Sequence, residues 1–286
     1  MSRFINPYTD FGFKKLFGEE TNKDLLIDFL NQLLPAHHQI KYLNFRNSES
    51  LGDFAEERKA IFDVHCVSAT DERFIVEMQK AKMKHFKDRS LFYSTFLIRE
   101  QSLKGQWNFK LEPIYFVAIL DFLYDEEEEK HKFRRDISLK DQDGDLFSDK
   151  LHFKFLQMPL FNKSENQLLT KFDKWCYFLK NLEDLDNIPA ILNEEIFKKA
   201  FGTAEFSAMT EKQQIAYQES LIHYSDMKNI IDTAVEEAVE IAVENKQIEI
   251  AENLIKLGLS GEDIANATGL TIQEVEKVRQ KSPKNK

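Results

Sequence analysis

Two hydrophobic periods divide this chain. After the loop residues Asn-Pro-Tyr, the segment TDFGFKKLFG reads as a short helix, with Asp10 placed to cap it. Leu26, Phe29, Leu30 and Leu33 then recur at helical spacing within LLIDFLNQLL, until Pro35 stops the pattern. Residues 40 to 46 (IKYLNFR) form a strand, and a polar stretch covers residues 47 to 58. Strands at residues 60 to 67 and 73 to 80 follow, joined by a turn over 68 to 72. An amphipathic helix over residues 86 to 104 ends near Gly105. The run PIYFVAILDF, residues 113 to 122, is apolar on both faces and reads as a buried strand, bounded by an exposed acidic loop at 125 to 129. Alternation in LHFKFLQMPLF, residues 151 to 161, gives one more strand.

Beyond Asn162 the period turns helical. TKFDKWCYFLKNL is amphipathic, and residues 210 to 257 form a long acidic helical tract. Its apolar stripe needs a partner, so it reads as a spacer or as an oligomerisation element that would hold a homo-oligomer through the C-terminal helices. Two capping boxes close the chain, Ser260-x-x-Asp263 and Thr271-x-x-Glu274, with a turn at Gly269 between them. That pattern resembles a helix-turn-helix with Ile264, Ala265, Leu270, Val275 and Val278 as its core. Its second helix carries Glu274 and Glu276 beside Gln273, Lys277 and Arg279. Such a half-acidic helix suits packing or assembly better than reading a major groove. The element order predicts a mixed α/β sheet with a helix on each face in residues 1–165, a helical extension over 166–257, and a small helix-turn-helix-like tail over 258–286 with a disordered end.

Within the hairpin, two acids interrupt otherwise apolar strands. Alternation puts Asp63 and His65 on one face and Val64 and Cys66 on the other; on the next strand Glu77 and Gln79 oppose Phe74, Val76 and Met78. A hairpin symmetrical about Thr70 sets Asp63 opposite Glu77. Directly opposed residues have Cβ atoms roughly 4.5–5.5 Å apart. Two carboxylates so close repel, so one holds a proton, a cation lies between them, or the face is open to solvent. A hard divalent ion among oxygen ligands is Mg²⁺ or Mn²⁺. His65 on the same face reads as a hydrogen-bonding bystander.

Asp63, a turn, then Glu77-Met78-Gln79 resembles the PD-(D/E)XK nuclease signature, with Gln79 where the pattern usually has lysine. The flanks NPYTDFGFKKLFG, LLIDFLNQLL, RSLFYSTFLIREQSLKGQ and PIYFVAIL are similar to the recombination-promoting nuclease (Rpn) and putative transposase group of that superfamily, over roughly residues 4 to 165. The resemblance implies a restriction-endonuclease-like core and a metal-dependent DNA endonuclease that hydrolyses phosphodiester bonds in recombination or transposition. Asp63 and Glu77 would ligate Mg²⁺ (or Mn²⁺), Gln79 would orient the attacking water, and Asp10 would be an auxiliary acid near the metal. A neutral amide cannot act as a general base, so a non-catalytic DNA-binding or assembly protein on a degenerate nuclease fold is the alternative. Lys80 alternates to the opposite face from Gln79 and is not a substitute for the missing lysine. A nuclease directed at RNA or at invading DNA would share the same site.

Charge bears on the partner. The formal net charge of −10 argues against nucleic acid, but residues 1 to 125 hold 17 Lys+Arg against 18 Asp+Glu, so the excess acid lies in the C-terminal part. Residues 80 to 110 carry eight bases against Asp88 and Glu100, a local patch that can meet a polyanion. Lys82, Lys84, Lys87 and Arg89 are its DNA-binding candidates, and Arg89 and Tyr93 share a helix face one turn apart. No apolar run approaches the ~18 residues of a transmembrane helix, and no secretory signal opens the chain. Two cysteines, Cys66 and Cys176, imply neither a disulfide framework nor a zinc site, so a cytoplasmic setting is expected.

Overall fold

A computed structural model describes residues 2–46, 49–50, 60–61, 63–80, 83–102, 108–124 and 131–281. Two units are distinguished, Met1–Tyr224 and Ser225–Lys286.

The first unit is built on a mixed sheet. In chain order its strands are β1 (Leu43–Phe45), β4 (Val64–Ser68), β5 (Arg73–Gln79), β6 (Ile114–Leu120), β7 (Arg134–Lys140) and β8 (Leu146–Gln157); β2 (Glu49–Ser50) and β3 (Ala60–Ile61) pair separately. The six-stranded order is β1-β4-β5-β6-β8-β7, with β5, β6 and β8 mutually parallel and the remaining pairs antiparallel. A parallel β5–β6 pair needs a crossover, and helix α3 (Phe86–Glu100) lies in that connection.

Every residue of β6 is buried, because both sheet faces are covered. One face packs Ile75, Phe116, Ala118 and Phe155 against Phe86 and Leu97 of α3. The other packs Val64, Cys66, Phe74, Val76 and Val117 into a larger core with α1 (Asp10–Phe17), α2 (Lys23–Asn31), α4 (Lys171–Asn181) and α5 (Glu195–Ala204). Trp175 is central there: its ring contacts Phe17, Phe29 and Phe197, while its indole N–H donates to Asp28 Oδ1 at 2.7 Å. Burying so large a ring requires that its one polar atom be satisfied, and Asp28, also paired with Lys171, does this. The helices of residues 171–204 thus share one core with the sheet.

Several local expectations change. Thr9, not Asp10, caps α1: its hydroxyl oxygen accepts the Gly12 N–H at 2.9 Å, and Asp10 is the first helical residue. Gly12 is required at that turn because a Cβ would run into the Asn6 carbonyl. The strand expected over residues 60 to 67 is split, β3 joining β2 and β4 joining the main sheet, with Asp63 at the break. Strand β7, RRDISLK, lies outside the expected order: Ile137 and Leu139 alternate with polar residues, but both are exposed, as an edge strand permits. The strand expected at 151 to 161 begins earlier, at Leu146, and ends at Gln157, where Pro159 supplies no N–H and the chain turns. Helix α3 stops at Glu100; Gly105, the acidic run at 125 to 129 and the last five residues lie outside the described residues.

Helix α6 (Glu211–Lys256) runs from the first unit into the second, which also holds α7 (Gly261–Thr268) and α8 (Ile272–Lys281). Ser260 and Thr271 accept the Asp263 and Glu274 N–H groups, and Gly269 takes φ 78° to end α7. Ala251 of α6 joins Ile264, Leu270, Val275 and Val278 in a small core. Among the described residues no helix is long and apolar enough to cross a membrane.

Candidate active site

The hairpin register is Val64↔Val76, His65↔Ile75 and Cys66↔Phe74, which makes Asp63 and Glu77 the next opposed positions. The ladder does not reach them. β5 continues to Gln79 along β6, while β4 begins only at Val64, so the β5 edge facing β4 would be left with an unsatisfied Met78 N–H. Asp63 answers it: its Oδ2 accepts the Met78 N–H at 2.7 Å. An acid that strands disfavour is therefore used where the strand pairing stops.

Glu77, two residues on from Ile75 and so on the α3 side of the sheet, is 2% exposed. The open, solvent-washed face that an antiparallel pair allows is not what the fold builds. Gln79 donates its side-chain N–H to Glu77 Oε2 at 2.7 Å, and Arg89 Nη2 of α3 stands 3.9 Å from the same oxygen. Among the described residues no well-formed hydrogen bond reaches the buried Glu77 Oε1, although the Asp63 backbone N–H lies near the carboxylate and lowers its pKa. Burial first, then the charge of Asp63, pushes the Glu77 carboxyl up to about 8, against the opposing pull of Arg89. Burial also raises Asp63, with Asp10 adding to it and Lys14 and Lys80 opposing it. The two acids are electrostatic neighbours in a poorly hydrated place.

That donor set fits a hard divalent cation. A buried carboxylate oxygen without a well-placed donor is a costly arrangement unless a cation completes it. Among the described residues no three His, Cys, Asp or Glu side chains group together, so Asp63 and Glu77 would share an ion with water and substrate oxygens. Mg²⁺, which keeps several waters and takes one or two carboxylates, suits such a pair.

The other predicted residues divide. Asp10 is exposed and pairs with Lys14 at 3.0 Å; its charge helps raise the Asp63 carboxyl, but it does not join Asp63 and Glu77 as a third grouped ligand. His65 is 5% exposed, with Nε2 3.6 Å from Glu100, beside Arg73 at 3.7 Å from the same carboxylate. Arg89 lies 4.7 Å over the Tyr93 ring, and Tyr93 packs into the sheet–helix core. Gln101 is structural: its side chain brackets Glu112 by accepting the N–H at 2.8 Å and donating to the carbonyl at 3.2 Å. Lys84 and Lys87 are exposed, Lys87 lying 5.0 Å over Tyr124. Lys82 lies outside the described residues. Asp63 also lines a cleft of about 260 Å³ with Lys14, Lys15, Glu19 and Arg46. The sequence drew no attention to Arg46, and its only signal was a base just after β1.

A mixed sheet between helices, with an acid at a strand break beside an acid on the next strand, belongs to the PD-(D/E)XK nuclease fold class. Within that class, the model of a family described as PD-(D/E)XK nuclease family transposase matches residues 7–234. The chain belongs to that family. This places it among nuclease-type, transposition-related proteins, a group that implies DNA as substrate and generally uses divalent metals. No curated protein matches the chain, and no solved structure does.

Proposed function

We propose that the chain is a metal-dependent DNA endonuclease in which Asp63 and Glu77 hold Mg²⁺ or Mn²⁺ beside the scissile phosphodiester. The observation that carries this reading is the buried Oε1 of Glu77, without a well-formed hydrogen bond, next to Asp63. A bound divalent ion supplies a Lewis acid for the phosphoryl oxygen and lowers the pKa of water. The protein's own contribution is placement. Gln79 fixes the Glu77 carboxylate through Oε2 and leaves Oε1 for the ion. Asp63 is fixed by Met78, and Asp10 stands by as the auxiliary acid. Magnesium-dependent nicking of supercoiled plasmid by the purified chain is the direct test; binding without nicking supports the non-catalytic reading, which the neutral, already engaged Gln79 amide favours.

Lys84 and Lys87 at the start of α3, with Arg89 nearer the acids, are proposed to hold the DNA backbone. Lys84→Ala with Lys87→Ala is expected to weaken DNA binding severalfold at low salt and to lower the slope of log K against log salt by about 2. Fluorescence anisotropy across a salt series measures both, and an unchanged slope removes these lysines from the interface.

In the second unit, Met227, Ile231, Ala234, Ala238, Ile241, Asn245 and Ile248 of α6 are spaced alternately four and three apart. Ile241 of this seam, and Ile230, Val235 and Val239 beside it, are exposed. A heptad seam with one asparagine suits an identical helix in register, so we propose that a second copy of the chain pairs here. Sedimentation is expected to show a dimer that Ile241→Glu converts to monomer; a monomeric wild type at tens of micromolar overturns this. Buried free thiols at Cys66 and Cys176 suit a reducing, cytoplasmic setting.

A further inference from the structure

A second cleft lies on the opposite side of the sheet from Glu77. Phe74 of β5, Tyr115 of β6 and His152 of β8 stand in one cross-strand row, and Phe74 and Tyr115 belong to the core that faces away from α3. Their rings stack nearly parallel, Phe74 on Tyr115 at 5.3 Å and 11°, Tyr115 on His152 at 4.7 Å and 12°. The next member of the row, on β7, is Ser138, which brings no ring. Just beyond it the β7–β8 register shifts, and the carbonyl of Asp149, which has no partner on β7, lies 2.7 Å from His152 Nε2. A carbonyl only accepts, so Nε2 carries the proton, and this bond holds the imidazole plane in the stack. Burial pushes the His152 pKa down, which keeps the ring neutral near pH 7.

A cavity of about 440 Å³ opens on Tyr115 and His152, within the roughly 300–1,000 Å³ range of small-molecule sites. Leu34 and Pro35, past the end of α2, give it an apolar wall beside His38, whose Nδ1 bonds the Tyr115 hydroxyl at 2.5 Å. Arg134 and Lys154 give it a basic end. These two cations share a single carboxylate, Asp136, at 2.8 and 2.6 Å, which leaves one positive charge over. Lys154 is mostly buried, where a charge is screened by less water. The acid on the cavity wall, Asp149, is offset by Lys150 at 3.3 Å.

We propose that this cavity binds a nucleotide, its base stacked on His152 as the fourth ring of the row and its phosphate held by Lys154 and Arg134. A flat neutral ring fixed at the end of a stack recognises another flat ring, and every base has such a face. Surplus positive charge at one end recognises an anion. A nucleotide carries both features on one molecule, whereas a base alone leaves the cations unused and a sugar phosphate leaves the stack unused. The cavity stands apart from Asp63 and Glu77, so its occupancy does not depend on the nuclease reading and is measured without cleavage.

Deoxyadenosine 5′-monophosphate, titrated calorimetrically into the full chain in EDTA, is expected to bind saturably with a Kd below about 1 mM. His152→Leu, which fills the space without a flat ring, should weaken it on the order of 10-fold, and His152→Tyr should restore it. Lys154→Met should weaken the nucleotide about 10-fold and leave deoxyadenosine unchanged. Ribose 5-phosphate should bind wild type at least about 10-fold more weakly than the nucleotide. Should the variants lose the fold by circular dichroism, the ranking of nucleotide over nucleoside and over sugar phosphate on wild type decides the matter. Competition tells the two sources apart: an oligodeoxyadenylate that displaces the mononucleotide marks a nucleic-acid strand as the ligand, and one that does not marks a free nucleotide. Absence of saturable binding, equal binding of ribose 5-phosphate, or a nucleotide affinity indifferent to His152→Leu or Lys154→Met overturns the proposal.

Discussion

Asp63→Asn and Glu77→Gln are each expected to reduce Mg²⁺-dependent plasmid nicking by at least about 10³-fold in kcat/KM, a loss on the order of 4 kcal/mol of transition-state stabilisation. Both substitutions keep the volume of the side chain. The asparagine amide still offers an oxygen to the Met78 N–H, and the glutamine still offers one to Gln79, so the bonds that fix these positions survive. What is lost is negative charge at the two places where an ion would be held. Residues that act as one unit are not additive, so the double variant should be scarcely worse than either single one. Rates from supercoiled-to-nicked conversion, with circular dichroism confirming the fold, measure this. A single variant retaining activity within tenfold of wild type would remove that acid from the reaction. Gln79→Ala, which only frees the Glu77 carboxylate, should lose far less.

The faces of the hairpin were readable because its alternation is strict: Phe74, Val76 and Met78 can only face one core, and the turn over residues 68 to 72 then places the centre at Thr70. β6 was readable as a strand buried on both faces, since IYFVAIL has no polar side to offer water. Less readable was anything decided at an element's end. A period of two carries Asp63 onto the face of Glu77, yet the unsatisfied Met78 N–H draws its carboxylate to the strand edge. That hydrogen bond depends on where β4 stops, which no local pattern states. The cap of α1 shows the same limit. Thr9 and Asp10 are both good caps by type, and the choice is made by Asn6, whose carbonyl accepts the Thr9 hydroxyl at 2.8 Å. The solvent-facing alternative for the acids failed because α3 covers the face, a consequence of the parallel β5–β6 crossover rather than of the hairpin itself.

Glu77 also makes the site unstable, and this can be measured without substrate. Its carboxyl is raised from 4.5 to about 8, so between those values the folded chain binds more protons than the unfolded one. Stability due to this group is then full below about pH 4.5 and declines as pH rises through about 8; the raised Asp63 acts in the same direction. Glu77→Gln removes the titration. In EDTA at pH 8.5 the glutamine variant is therefore expected to be more stable than wild type by about 2–4 kcal/mol, at roughly 1.4 kcal/mol per pK unit, and the two should converge near pH 4.5. Magnesium should stabilise wild type at pH 8.5 and leave the variant unmoved, since the ion and the amide relieve the same buried charge. Urea melts of both proteins at the two pH values, with and without Mg²⁺, give the comparison. If Glu77→Gln were instead destabilising in EDTA at pH 8.5, Arg89 and Gln79 would already satisfy the ionised carboxylate, and the under-bonded oxygen on which the metal site depends would lose its meaning.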